Sequence, residues 1–183
     1  MNNLSLGSLD ALPLLEHLDL VAAPTAAAIS NWPGIAATDA FGVAAIDPDL
    51  ADTAAFCEHY GVGLDVSANC VILECKREGK RWLAACVILA TTRADVNGLA
   101  RRKLGASKIS FAPMDKAVEQ TGMEYGGITP IGLPADWPIL IDSAVIAHPR
   151  IIIGSGLRRS KLIVPGKALA ELPSALILEN LGR

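Results

Sequence analysis

The chain has 183 residues, of which 51% are hydrophobic and only 4% aromatic, so Ala, Val, Leu and Ile must build its core. One core can serve a chain of this length, and a net charge of −3 does not by itself favour nucleic-acid binding. No run of about 20 apolar residues escapes interruption by charge, Pro or Gly, and the first residues lack the basic region of a secretory signal. These features argue against a membrane span and predict a cytoplasmic protein.

The cysteines and histidines do not form a recognisable site. The three histidines are scattered, with no Ser/His/Asp arrangement, and none lies at zinc-ligand spacing from a cysteine. We therefore expect no metal and no cofactor. The four cysteines contain no CxxC pair, and we expect them to be structural: Cys57, Cys70, Cys75 and Cys86.

Two helices are predicted in the first third of the chain. Leucines recurring through residues 8–20 indicate an amphipathic helix that begins at Ser8. Asp47-Pro48 is typical of a helix start, because proline at the first helical position removes no needed N–H. That helix would continue to Tyr60 and end at Gly61, although a break near Asp52-Thr53 suits the residues equally well.

The middle of the chain alternates strands and helices. Val71–Glu74 and Leu83–Ala90 are apolar runs joined by a charged turn, which predicts a β-hairpin. We predict a helix at Val96–Leu104, a strand at Ile109–Ala112 and a helix at Met114–Gln120, the two helices ending at glycines.

Three further strands are predicted after residue 134, followed by a last helix. The strands are Ile139–Ile141, Ile151–Ile153 and Lys161–Val164, and the helix takes in Pro165–Ala170 and the leucine-rich tail. The whole pattern predicts a single α+β domain over residues 1–183, with a mixed, largely antiparallel sheet surrounded by helices.

The segment Thr121–Pro134 is unusually rich in glycine and proline. Gly126-Gly127 lets a ligand approach the backbone closely, while Pro130 and Pro134 stiffen the loop. Such a loop could hold N–H groups in a fixed arrangement around a phosphate, a carboxylate or a developing oxyanion. A tight connection without a ligand is the alternative, and local chemistry alone does not separate the two.

The same segment resembles the signature loop of the YbaK/prolyl-tRNA synthetase editing-domain family. Gly126 to Pro130 supplies the GxxxP element of that family, and Leu99–Gly122 and Ile141–Val164 are similar to its flanking elements. The resemblance runs from about Asp47 to about Val164. It implies a barrel-like sheet, with residues 1–46 as an N-terminal extension packed on the domain.

The resemblance also implies a function, which is trans-editing of mischarged tRNA. Members hydrolyse the ester between a wrong amino acid and the tRNA 3′ end without a metal, and the substrate's ribose hydroxyl assists the attacking water. The implied catalytic residues are Gly126, Gly127, Thr129, Pro130 and Asp142. The implied substrate-binding residues are Asn69, Phe111, Ile128, Gly132, Gly154, Ser155 and Gly156. Capping by Asp142, turn chemistry at Ser155 and core packing of Phe111 are the alternatives.

One position departs from the family pattern. The hairpin strand of YbaK-type members carries a Lys–Thr pair where this chain has Asn69, an uncharged hydrogen-bonding residue. A second hypothesis is therefore a weakly active or inactive member that binds tRNA, a nucleotide or an amino acid.

Basic residues fall into three clusters, at 76–81, 101–108 and 158–161. They could together face the phosphates of an acceptor stem, or they could simply be solvated turns and helix faces. The expected partners are aminoacyl-tRNA and a cognate aminoacyl-tRNA synthetase. The candidate tRNA contacts are Lys80, Arg81, Arg101, Arg102, Arg158 and Arg159.

Overall fold

Two β-sheets share one hydrophobic core, and helices cover their outer faces. The computed structural model describes Leu4 and residues 6–183. Its strands are β1 (Ala11–Pro13), β2 (Gly42–Ala45), β3 (Ala68–Arg77), β4 (Lys80–Leu89), β5 (Lys108–Phe111), β6 (Ile139–Asp142), β7 (Ile151–Gly154), β8 (Ser160–Val164) and β9 (Ala175–Leu178). Its α-helices are α1 (Ala23–Ser30), α2 (Thr53–Tyr60), α3 (Arg101–Lys103, after a π-helical turn at Val96–Ala100), α4 (Met114–Thr121) and α5 (Ser143–Ala147).

The first sheet has the order β1-β2-β8-β7 and is antiparallel throughout. Every residue of β8 is buried, because the sheet is covered on both faces. One face contributes residues such as Val43 and Leu162 to the main core. The other face packs under α2, where Phe56 and Ile163 belong to a second apolar cluster.

The second sheet has the order β5-β3-β4-β6-β9. β3 and β4 form an antiparallel hairpin, whereas β6 runs parallel to both β4 and β9. Side chains such as Ile72 and Ile141 enter the main core from this sheet. The mixed α+β fold is as predicted, but the two sheets are not closed into the expected barrel.

Most predicted elements are present. The β-hairpin, the strands at 109–112, 139–141, 151–153 and 161–164, and the helix at 114–120 all appear within a few residues of their predicted limits. Gly61, Gly105 and Gly122 end helical segments with φ values of +63°, +64° and +66°. Of the two alternatives after Asp47, the break near Asp52-Thr53 is confirmed: a 3-10 turn at Pro48–Leu50 precedes α2, whose N-cap is Asp52.

Two predicted helices are wrong. Residues 8–20 contain β1 and two 3-10 turns, because Pro13 cannot donate a hydrogen bond within a helix and a leucine spacing of three suits 3-10 geometry. The C-terminal helix is a 3-10 segment at Gly166–Glu171, and the leucine-rich tail is the strand β9. Among the described residues, no helix is long and apolar enough to cross a membrane.

The four cysteines are free thiols, and three of them are buried. Burial raises the pKa of the Cys86 thiol to about 12 and that of Cys75 to about 11. Both values lie above the pKa of about 8.5 expected in an unfolded chain. The neutral thiols therefore stabilise the fold fully below that pH, and this contribution is lost as the pH rises towards 11 to 12.

We expect the free energy of unfolding to fall between about pH 8.5 and pH 11. Urea denaturation at a series of pH values measures it, and Cys86→Ala should show a shallower decline than the wild type. An unchanged decline in Cys86→Ala would show that other groups cause it.

Candidate active site

A cleft of about 630 Å³ lies where the loop after α4 meets the two sheets. The start of β3, the residues before and at the start of α2, the ends of β5 and β7, and one residue of β8 line it. Five residues that the sequence analysis assigned to the site line this cleft: Asn69, Phe111, Gly126, Ile128 and Gly154.

The glycine-rich loop forms one wall of the cleft with its backbone. Gly126 has a φ of +85°, which an L side chain rarely adopts. The N–H of Gly127 donates to the carbonyl of Glu124 at 2.9 Å, which closes the turn. The N–H groups of Gly126 and Ile128 have no acceptor among the residues that the structure describes. These two N–H groups are therefore available to a ligand oxygen.

Gly127 and Gly154 hold this wall against the first sheet. A Cβ on Gly127 would lie 2.6 Å from the carbonyl carbon and oxygen of Leu157. A Cβ on Gly154 would lie 2.3 Å from the carbonyl oxygen of Gly127. The N–H of Gly156 donates to that same oxygen at 2.7 Å. Glycine is required at both positions because backbone packs directly on backbone there.

The remaining loop residues support the cleft from outside its lining. Thr129 and Pro130 are buried, and the Thr129 hydroxyl has no partner among the described residues. Gly132 packs against the backbone of Pro24. The Ser155 hydroxyl accepts from the N–H of Leu157 at 3.2 Å, which is the turn chemistry named as its alternative. None of these residues is in the cleft lining.

Asp142 also lies outside the cleft lining, at the start of α5. Its Oδ1 accepts from the N–H of Ala144 at 2.8 Å, and its Oδ2 accepts from the N–H of Gly182 at 2.6 Å. The carboxylate is 5% exposed. The structure thus has the capping arrangement that was the alternative to catalysis.

Asn69 and Phe111 both line the cleft, Asn69 partly buried and Phe111 exposed. The Thr53 hydroxyl donates to Oδ1 of Asn69 at 2.7 Å, so the amide N–H groups of Asn69 are what it can offer a ligand. Phe111 is not in the core; it is 62% exposed and shares the cleft rim with the exposed Tyr125. Because an aromatic ring presents a flat apolar face, this rim suits a nucleobase.

Lys161 is a site residue that was not predicted, because its position in a basic cluster indicated a surface residue. Lys161 lines the cleft and is only 7% exposed. The residues that follow it could have indicated its burial. Lys161 begins a run of four residues that is otherwise apolar, and this run belongs to a fully buried strand. Asp52 and Thr53 also line the cleft and were not assigned to it.

Comparison with known proteins decides the family. A sequence model described as the aminoacyl-tRNA editing domain matches residues 47–172, more than half of the chain. The chain belongs to the aminoacyl-tRNA editing domain family. The predicted resemblance to that family is confirmed.

Several solved structures share the fold of this editing domain. One, described as a proposed trans-editing enzyme for prolyl-tRNA synthetase, is 18% identical, with a TM-score of 0.66 over 78% of this chain and 87% of that one. A hypothetical protein is 20% identical, with a TM-score of 0.68 over 78% and 91% of the two chains. A scaffold protein for epitope grafting is 18% identical, with a TM-score of 0.71 over 86% and 95%.

The basic residues of the editing domain gather at two places. The far end of the β3–β4 hairpin carries one group, which we call the basic tip: Lys76, Arg77, Lys80, Arg81, Arg101, Arg102, Lys103 and Lys108. Strand pairing places Lys76 beside Lys108, and Arg77 Nη1 donates to the carbonyl of Gly105 at 3.3 Å. The first two clusters therefore converge.

The third basic cluster lies at the cleft. The Arg158 guanidinium donates to the carbonyls of Pro48 at 2.9 Å and Tyr125 at 3.3 Å, so it bridges the mouth from the segment before α2 to the glycine-rich loop. Arg159 donates to the carbonyl of Asp19 at 3.0 Å. Of the predicted tRNA contacts, Arg158 is thus beside the cleft and Lys80, Arg81, Arg101 and Arg102 are at the basic tip.

Proposed function

We propose that this editing domain hydrolyses the ester of mischarged aminoacyl-tRNA in trans. The observation that carries the proposal is the pair of unpartnered N–H groups, on Gly126 and Ile128 of the described chain, in the wall of a cleft within the region that matches the editing-domain family. An aminoacyl ester is already activated, so its hydrolysis requires chiefly an oriented water and a stabilised oxyanion.

In the proposed reaction, water adds to the ester carbonyl carbon and the carbonyl oxygen becomes an oxyanion. The N–H groups of Gly126 and Ile128 donate to that oxyanion. The bond to the ribose oxygen then breaks, and a proton from the water restores the ribose hydroxyl. The neighbouring ribose hydroxyl orients the water, so the chain supplies position and electrostatics without a general base of its own.

The cleft fits the acceptor end of tRNA with a small amino acid. Its volume of about 630 Å³ lies within the range typical of small-molecule sites. Its lining includes Ala68, Ala112 and Ala117, whose small side chains leave room for the aminoacyl group beside the loop. Discrimination would then rest on exclusion of the larger, correct residue.

A deacylation panel tests the proposal. The purified protein is incubated with tRNAs charged with Cys, Ala, Ser, Thr and Pro, and the remaining ester is measured over time. Hydrolysis of one ester names the amino acid. Silence against all five would overturn the proposal and favour the binding module, which the uncharged Asn69 in the cleft supports.

The basic tip supplies a surface for the phosphates of the acceptor stem. Lys76 of the basic tip lies four positions along β3 from Ile72 of the cleft lining, a distance of roughly 13 Å at about 3.3 Å per residue. Arg101 and Arg102 are exposed at this tip, and the ion pairs among the described residues do not include them. Their charges are therefore available to a polyanion.

We expect Arg101→Ala with Arg102→Ala to weaken tRNA binding at low salt. The slope of log affinity against log salt should become shallower by about 0.7 to 0.9 for each phosphate that the double variant no longer neutralises. Filter binding across a salt series measures both quantities, with Lys167→Ala as an exposed control. An unchanged slope in the double variant would show that tRNA docks elsewhere.

A further inference from the structure

Lys161 is a buried cation that forms no ion pair among the described residues. Its ammonium donates to the carbonyl of Ala51 at 3.0 Å, and the ion pairs of the described chain do not include it. Lysine is almost never this buried unless it is paired, because the charge loses its hydration. Burial accordingly lowers the pKa of Lys161, and the Asp52 carboxylate, which lines the same cleft, only partly offsets this. Such a group is costly to the fold, so its presence in the cleft calls for a ligand.

The sheet directs Lys161 to the cleft. In β8 it lies between Ala44 of β2 and Gly154 of β7, and cross-strand partners share one face of a sheet. Both neighbours are small, which leaves space for the long side chain. The ammonium nitrogen lies 5.2 Å from the centroid of the Phe56 ring, within the range of a cation–π contact.

The same register places Lys161 beside the glycine-rich loop. Its strand partner Gly154 packs directly on the carbonyls of Gly127 and Ile128. Lys161 and the N–H groups of Gly126 and Ile128 therefore belong to one wall of the cleft. Lys161 is also the one cation among the described residues that line this cleft.

We propose that Lys161 is a catalytic residue whose ammonium donates a hydrogen bond to the ester carbonyl oxygen as it becomes an oxyanion. This inference rests on the proposed deacylase function. An ammonium has three N–H donors, and the carbonyl of Ala51 takes one of them. In the proposed step the ammonium donates hydrogen bonds only and transfers no proton. A charge held at a buried position, as Lys161 is, stabilises an oxyanion far more than the same charge in water.

Lys161→Met removes the charge and shortens the unbranched side chain by one atom only. We expect it to lower kcat about 100-fold or more, as removal of an oxyanion donor does in other enzymes, with little change in KM. The melting temperature should stay the same or rise, since an apolar residue in place of a buried unpaired charge is often stabilising. Lys167→Met, at an exposed lysine nearby, is the matched control and should leave kcat unchanged.

A second variant moves the charge to another part of the cleft lining. Asn69 lines the same cleft from β3, so Asn69→Lys in the Lys161→Met protein restores an ammonium to it. We expect at least 10-fold recovery of kcat. This double variant also keeps the proposal testable if Lys161→Met alone folds poorly, because a purely structural lysine would not be replaced from another strand.

The outcomes separate the two proposals. Full activity of Lys161→Met would overturn the role of Lys161 while the deacylase function stands, and a rise in KM alone would overturn the contact with the carbonyl oxygen. If the wild type hydrolyses none of the charged tRNAs, calorimetry with a phosphonate analogue of the aminoacyl adenosine ester is decisive, because its charged oxygen mimics the oxyanion of the tetrahedral intermediate. At least 10-fold weaker binding by Lys161→Met would then support the contact, equal binding would overturn it, and no binding by either protein would overturn both proposals.

Discussion

Gly126→Ala is expected to lower deacylation about 100-fold while the protein stays folded. The added Cβ would lie 2.6 Å from Nη1 of Arg158, at the mouth of the cleft. Either the guanidinium leaves the Tyr125 carbonyl or the Gly126 peptide moves, and a displacement of about 1 Å can cost about 100-fold in rate. Single-turnover deacylation at saturating protein measures the decrease.

The matched control for backbone strain is Gly79→Ala. Gly79 has a φ of +80°, close to the +85° of Gly126, and an added Cβ would meet no atom within 4 Å. Both variants should be destabilised by about 1 kcal/mol because of the left-handed backbone, but only Gly126→Ala should be impaired in deacylation. Full activity in Gly126→Ala would show that deacylation depends neither on the Arg158 contact nor on a displacement of the Gly126 peptide.

Gly127→Ala tests the packing behind the cleft wall, whereas Gly126→Ala tests the residue that lines the cleft. Its Cβ would meet the Leu157 backbone, which cannot move aside as a flexible side chain can. We expect the unfolding free energy to fall by about 1 to 3 kcal/mol together with a decrease in activity. The main effect of Gly126→Ala is therefore expected on the deacylation rate, and that of Gly127→Ala on the unfolding free energy.

Asp142→Ala is expected to destabilise the protein by about 2 to 4 kcal/mol without changing kcat per folded molecule. The variant removes an N-cap, typically worth about 1 kcal/mol, and a charge-assisted hydrogen bond worth about 1.5 to 3 kcal/mol. It also leaves the N–H of Gly182 without its acceptor in a partly buried place. Urea denaturation gives the stability, and deacylation well below the transition gives kcat.

Asp47→Ala provides the comparison for a cap that faces solvent. Asp47 accepts from the N–H of Asp49 at 2.9 Å in an exposed turn, so water can replace it and the destabilisation should stay near 1 kcal/mol. A stable but inactive Asp142→Ala protein would return Asp142 to the catalytic group.

The sequence predicted the features that local chemistry decides. The hairpin follows from apolar β-rich runs on either side of a charged turn, and the ends of α2 and α4 follow from Gly61 and Gly122. The sequence did not predict elements whose secondary structure depends on pairing with a strand distant in the chain. The run Ala175–Leu178 is a strand because β6 pairs with it in parallel, and nothing in a short apolar run distinguishes that from a helix.

The site was predicted in the same uneven way. Glycines and prolines marked the loop, since they restrict the backbone wherever they occur. The sequence could not show which loop residues face the cleft, because Gly126 lines it and Gly127 lies behind it only through contact with Leu157. Lys161 was not predicted for a related reason. A lysine is expected to be exposed unless the strands that pair on both sides of it are known.

The hydrogen bond between Lys161 and Ala51 spans 110 residues of the chain. At a synthesis rate of roughly 5 to 20 residues per second, the ribosome needs about 5 to 20 s to deliver the lysine after the alanine. During that time the apolar underside of α2 has no sheet to cover it, because β8 has not been made. The nascent chain is then most exposed to aggregation, so slow translation between α2 and β8 should lower the yield of folded protein more than slow translation after β8.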